Sequence, residues 1–226
     1  IGKNVVASPD VVLSANQMTY TGKELKPTVT VADDNNKPIP AGEYTVTYRD
    51  NIEVGTATVE IASRGDNYSF TAGATFEIVN ADQPALTITG KQDAVYYGDT
   101  IQLGVSGPGT GTVAWASSDT DVAAIDQNGV VTVKKAGSAT ITATMAAGGG
   151  YKEAAGTWTF LAKAKPVKAV VSAADKPYDG GTEAQLTVAV SGLVGSDTFD
   201  VSAEGRFADA AVGTNKTVFI DRLTVA

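Results

Sequence analysis

The sequence predicts an all-β protein of three tandem Greek-key β-sandwiches in an elongated arrangement, and three observations carry that expectation. Two short motifs recur in step along the chain. Val/Thr/Ala-rich runs alternate apolar and polar residues at period 2, which sets one row of side chains inward and the other in solvent. No ten-residue window sustains the 3.6-residue period of an amphipathic helix, so helix is expected to be negligible.

The first motif is a Tyr/Gly marker: Tyr20-Thr21-Gly22, Tyr97-Gly98-Asp99 and Tyr178-Asp179-Gly180. The second is a small residue, Gly and a hydroxyl: Val54-Gly55-Thr56, Ala136-Gly137-Ser138 and Val212-Gly213-Thr214. The tyrosines of the first (20, 97, 178) and the glycines of the second (55, 137, 213) share one period and one order. Two markers that keep step in this way define repeated structural units.

Each second marker leads into an alternating strand: Thr56–Ile61, Ala139–Thr144 and Thr217–Ile220. Tyr44–Tyr48 alternates in the same way, and Gln127-Asn128-Gly129 between two apolar runs is a hairpin signal. The pattern lapses at Asn80–Pro84 and Ala162–Pro166, so the expected modules are residues 1–80, 81–163 and 164–226. Links this short, each stiffened by Pro, favour a semi-rigid rod. About 80 residues of short strands suit one sandwich each.

Composition narrows the function. A net charge of −8 with no long Lys/Arg run disfavours nucleic acid as a partner. With no Cys and no His, disulfides, thiolate sites, zinc sites and His-dependent triads are excluded. No apolar run reaches the ~20 residues of a membrane helix, so no membrane insertion is expected within the chain. Ile1 does not open a signal peptide, and the chain reads as a mature fragment.

Candidate sites are sparse. Asp33-Asp34-Asn35-Asn36 is the densest oxygen cluster, making Asp33, Asp34 and Asn36 weak calcium candidates. Their spacing fits no EF-hand loop, and Asp and Asn also dominate ordinary turns, which is the preferred reading. Asp119, Asp121 and Asp126 read the same way, with Asp119 capping backbone N–H groups. No catalytic residues and no cofactor are expected; Gly148–Gly150 lacks a following Lys-Ser/Thr and is a turn. Trp115, Val113, Ile125, Val131 and Ile141 should form the middle core, while Trp158 is open between core and sugar platform. Tyr96 and Tyr97 point to opposite faces, so one is expected exposed near the first junction.

With those residues in place, the middle unit resembles the group 2 bacterial immunoglobulin-like domain of intimin- and invasin-type surface proteins. The resemblance rests on Val113–Asp119, Val122–Asp126, Asn128–Val133 and Ala136–Thr142. The first unit resembles bacterial immunoglobulin-like repeats through Tyr44–Tyr48, Val54–Val59 and Asp66–Tyr68. The third is similar to the module named for its Tyr-Asp-Gly signature, here Tyr178-Asp179-Gly180. The resemblance implies immunoglobulin-like sandwiches, an extracellular location on a bacterial cell surface, a non-catalytic stalk or adhesion role, and a host or neighbouring-cell glycan or protein as partner. The alternatives are a carbohydrate- or host-protein-binding module and an accessory segment of a larger secreted enzyme.

From the marker glycine to the unit's end, the first two units run from 55 to 79 and from 137 to 161, whereas the third runs only from 213 to 226. The third module is therefore expected to stop about one strand short. A monomer follows, with edge-strand association through the third module. The open edge is expected to be covered by a second copy, by the chain's own tail or by the otherwise surplus segment Ile1–Ala7.

Overall fold

The computed structural model describes residues 2–225; Ile1 and Ala226 lie outside the described residues. It is all-β, and its only helical element among the described residues is the 3₁₀ turn Ala41–Glu43. Contacts divide the chain into two compact units. One holds Ile1–Thr89, Gly104–Ala116 and Thr142–Thr157, the other Gly90–Leu103, Ser117–Ile141 and Trp158–Ala226.

The first repeat lies in the first unit and contains β1 (Asn4–Val5), β2 (Asp10–Leu13), β3 (Gln17–Thr19), β4 (Val29–Ala32), β5 (Pro38–Ile39), β6 (Tyr44–Arg49), β7 (Gly55–Ser63), β8 (Tyr68–Ser69) and β9 (Thr71–Val79). One sheet runs β2-β4-β5 and the other β3-β9-β7-β6. Period-2 alternation sets the faces: Ala57, Val59 and Ile61 of β7 are buried, and Glu60 between them is exposed. On one side Val46 opposes Ile61 and Tyr48 opposes Val59. On the other, Phe76 of β9 opposes Ala57, so a large ring fills the room a small residue leaves. Burying one such side chain stabilises the fold by about 1.5–3 kcal/mol.

The core also takes Val6, which corrects the expectation that residues 1–7 are surplus and free to cover another edge. β1 pairs parallel with β8, Asn4 opposite Tyr68, and Val6 N–H donates to the Ser69 carbonyl at 3.2 Å. Strand alternation turns Val6 into the nearest core and leaves its neighbour Val5 exposed. Ile1 itself is outside the described residues.

The middle strands are β10 (Thr87–Thr89), β11 (Val95–Tyr96), β12 (Thr100–Gln102), β13 (Gly104–Ser106), β14 (Val113–Ser117), β15 (Ala123–Ile125), β16 (Val130–Val133), β17 (Gly137–Met145) and β18 (Ala154–Lys163). Their sheets are β10-β13, β12-β16-β15 and β11-β18-β17-β14. The Asn-Gly signal makes the β15–β16 hairpin: Ile125 opposes Val131, and Gly129 takes φ +80°. Trp115, Val131 and Ile141 are buried, while Val113 and Ile125 are half-buried. Trp158 is also buried, its ring 4.5 Å from that of Phe160 two residues along the same inward face.

The third repeat has β19 (Lys168–Ala173), β20 (Glu183–Ala184), β21 (Leu186–Ser191), β22 (Val201–Phe207) and β23 (Val218–Val225) in sheets β19-β21 and β20-β22-β23. Its ladders repeat the plan of the first, with β19–β21 placed as β2–β4 and β22–β23 as β6–β7. The difference lies at the edge. β7 has β9 beyond it and β17 has β18, whereas β23 has no further strand among the described residues. No residue of 163–225 is buried. A bulge between Glu204 and Gly205 leaves Asp221 unopposed in the β22–β23 ladder.

Candidate functional site

Of the calcium candidates, Asp33 and Asn36 build a local turn, and Asp34 ties it to residues 7 and 8. Asp33 Oδ1 accepts the N–H groups of Asn35 and Lys37, both at 3.0 Å, and Asn36 takes φ +60° in the same turn. Asp34 accepts from Ala7 and Ser8 N–H at 3.0 and 2.7 Å, and these bonds hold its carboxyl below its ordinary 3.8. The two neighbouring carboxylates thus serve different segments.

In the middle repeat Asp119 Oδ1 accepts from Asp121 and Val122 N–H, the capping role its Ser-Ser-Asp context suggests. Asp126 Oδ1 accepts from Asn128 and Val130 N–H at 2.9 Å each. The Val130 bond is the largest cause of its lowered pKa. In the first repeat Asn67 Nδ2 donates to Glu43 Oε1 at 2.7 Å.

The Tyr/Gly marker has a role that local periodicity does not reveal. In the first unit the Tyr20 ring meets the Tyr151 ring edge-on, centroids 5.8 Å apart at 79°. Gly150, at φ +84°, lies so close that an added Cβ would stand 2.2 Å from Tyr20 Cδ1 and 2.6 Å from Cγ. The adjoining linker is bonded to the same loop. Ala81 N–H donates to the Gly150 carbonyl and Lys152 N–H to the Ala81 carbonyl, both at 2.9 Å. Gln83 Nε2 reaches the Lys152 carbonyl at 2.7 Å, and Lys152 pairs with Asp82 at 2.8 Å. The triple glycine is therefore a fitted seat for Tyr20, not merely a flexible turn.

The second unit uses the next marker in the same way. Tyr97 Oη donates to Asp197 Oδ1 at 3.1 Å, and that bond raises the phenol above its ordinary 10.0. Gly98, at φ +85°, faces Val194, where a Cβ would stand 2.4 Å from Cγ1. This corrects the sequence-based placement: Tyr96 and Tyr97 are both half-buried, and the ring that reaches a neighbour does so at the second junction. Strand alternation shows which face a ring takes, not which repeat lies opposite. The recurrence of the marker was the signal available for the joint.

Tyr178, the third marker, is 72% exposed. Beside it a cleft of about 490 Å³ opens, lined in part by Lys176, Tyr178, Phe207, Asp209 and Lys216. Among its lining residues Lys216 is paired with Asp209 and Lys176 with Asp179. Asp179 also accepts the Gly181 N–H, the main reason its carboxyl stays below the ordinary value.

Comparison with known proteins adds the family. No curated protein matches the chain. Among solved structures, an intimin mutant from EHEC O157:H7 is similar at 24% identity and TM-score 0.29, covering 42% of this chain and 54% of that one. The S-layer protein rSbsC(31-844) is similar at 15% identity and TM-score 0.31, covering 99% and 38%. Titin domains A168–A170 are similar at 12% identity and TM-score 0.34, covering 94% and 88%. Family models match two stretches directly: residues 82–155 match the bacterial Ig-like domain (group 2), and residues 163–226 match the YDG domain.

Proposed function

We propose that the chain is a non-catalytic spacer and adhesion segment of a bacterial cell-surface protein, working outside the cell as three modules in series, residues 1–80, 81–163 and 164–226. The observation that supports this reading is the repeated use of one marker as a joint. Tyr20 and Tyr97 occupy equivalent places in their repeats, and each meets a later stretch of chain, Gly150–Tyr151 and Val194–Asp197 respectively. Fitted joints between short-linked modules resist bending, which a spacer requires and a set of freely swivelling binding modules does not. The bacterial Ig-like match over residues 82–155 is consistent with surface display.

In a spacer the binding face for a host or neighbouring-cell glycan or protein is carried by other parts of the assembly. The test is to apply the purified chain to a glycan array and to cultured host cells. The spacer reading expects background binding on both. Saturable binding to one glycan class or one cell protein would replace it with the binding-module reading.

A further inference from the structure

The loop between β7 and β8 in the first repeat places Arg64, Gly65 and Asp66 in sequence at the surface, all three exposed. Its feet are fixed. Ser63 N–H donates to the Phe70 carbonyl at 3.0 Å, the Ser63 hydroxyl accepts the Phe70 N–H at 3.1 Å, and Ile61 and Phe70 on either side are buried. The span between them is braced from two directions. Glu43 takes the Arg64 N–H on its carbonyl at 2.6 Å and the Asn67 amide on its carboxylate. Lys3 Nζ donates to the Gly65 carbonyl and Asn4 N–H to the Asn67 carbonyl, both at 2.8 Å. At φ +84° Gly65 turns the chain where an L side chain would be strained.

The fold uses the backbone of this tripeptide and little of its two charged side chains. Among the described residues the Arg64 guanidinium makes no hydrogen bond or ion pair. The Asp66 side chain is fully exposed and meets only Lys3, at 3.5 Å. An exposed pair of that kind contributes little and opens readily. The turn thus accounts for Gly65 and Asn67, and it leaves an Arg and an Asp on either side of a glycine, on a rigid support. A loop already held in shape meets a partner without the cost of ordering.

We propose that Arg64-Gly65-Asp66 is a contact loop for a cell-surface receptor of the integrin type. Such a receptor offers the two complementary groups, a divalent cation with an open coordination position and an acid-lined slot beside it. The Asp66 carboxylate supplies the hard oxygen that the cation takes. The Arg64 guanidinium meets the slot's carboxylates with a planar fork, which a lysine ammonium lacks. Gly65, having no side chain, lets the receptor surface close on the backbone between them. The paired signs select against other partners. A polyanion drawn to Arg64 meets Asp66 at the same place, on a chain of net charge −8. A free cation finds one exposed carboxylate, short of the roughly six to eight oxygens that calcium takes.

This contact goes beyond the spacer reading and rests on it in one respect. Three residues bury far less than the roughly 1,200 Å² at the lower end of stable interfaces, so a single soluble chain binds weakly and washes off cells. Spacers stand on their surface in many copies, and contacts linked in this way gain roughly 10²–10⁴ in avidity.

The test coats a surface densely with the whole chain and counts attached fibroblasts in magnesium buffer. A coat of the peptide Gly-Arg-Gly-Asp-Ser is the positive control. Cells should attach to the wild-type coat. Attachment should vanish in EDTA and under competition by the same peptide in solution, but not by Gly-Arg-Gly-Glu-Ser. Asp66→Glu keeps the charge and moves the carboxylate by one methylene, and Arg64→Lys keeps the charge and loses the fork. Each should raise the coat density needed for half-maximal attachment by roughly tenfold or more. Both side chains lie outside the core, so both variants should melt as the wild type does, which separates loss of contact from loss of fold. No attachment to the wild-type coat while the peptide control attaches would overturn the inference. So would attachment that survives EDTA, or equal attachment to the Asp66→Glu coat. Such a failure leaves the spacer reading standing, because that reading is judged on the soluble chain.

Discussion

Gly150→Ala is expected to damage the joint at Tyr20 through two separable effects. At φ +84° an L side chain is strained by roughly 1–2 kcal/mol. The new Cβ would also stand 2.2 Å from Tyr20 Cδ1 and 2.6 Å from Cγ. Cγ is the root of the ring, so the clash cannot be relieved by moving the far end of a flexible side chain, and such overpacking costs typically ~1–3 kcal/mol. The expected total is about 2–5 kcal/mol, read as a lowered midpoint in urea at unchanged slope. A double-mutant cycle with Tyr20→Ala separates the two parts. Removing the ring abolishes the clash but leaves the backbone strain, so Gly150→Ala should cost only the roughly 1–2 kcal/mol of strain in the Tyr20→Ala background. Equal costs in both backgrounds would refute the close approach as the reason for glycine at 150.

Three further outcomes follow from burial and charge. Trp115→Ala should destabilise by ~3–5 kcal/mol, whereas Leu223→Ala, half exposed on the open edge, should cost less than ~1 kcal/mol; chemical denaturation monitored by circular dichroism separates them. Asp34, Asp126, Asp179 and Asp209 have folded-state pKa values below their ordinary 3.8, mainly through backbone N–H bonds and, for Asp209, through Lys216. Their contribution is therefore fully present above about pH 4 and is lost as pH falls through the lowered values, so a urea series from pH 6 to 2.5 should show stability dropping only at its acid end. Asp34→Asn should shrink that drop, and no change would show that its bonds to Ala7 and Ser8 do not matter for folding. Tyr97→Phe removes the bond to Asp197 and should delete one of the two raised tyrosine titrations in an absorbance series, leaving that of Tyr48, which burial raises; a variant that loses only an ordinary tyrosine titration would mean that bond is absent in solution.

Much of the strand layout was legible because it is local. The alternation over Thr56–Ile61 falls inside β7, that over Ala139–Thr144 inside β17, and Asn128-Gly129 closes the β15–β16 hairpin. The turn role of Asp33 and the capping role of Asp119 were legible for the same reason, since each bonds to residues two to four positions away. What escaped depends on partners far along the chain. Val6 enters the first core beside residues some sixty positions later, and Tyr97 meets Asp197, 100 positions away. Asn51 is buried because its side chain and backbone carbonyl both bond to Leu25, a pairing that no period announces. The marker tyrosines were visible as a repeat, but their partners, Gly150 and Val194, lie in loops that share no motif.

Whether the chain bears load as three modules in series can be read by pulling single molecules from their two ends. About 80 residues per module release roughly 280 Å of extended chain at ~3.5 Å per residue, less the few tens of Å each folded module already spans. Two steps of roughly 250 Å and a shorter third of roughly 190 Å from residues 164–226 are expected, with the third repeat yielding at the lowest force because its inward residues are half exposed. Two steps that break within residues 81–163, or one step releasing the whole 226-residue chain, would contradict the serial arrangement.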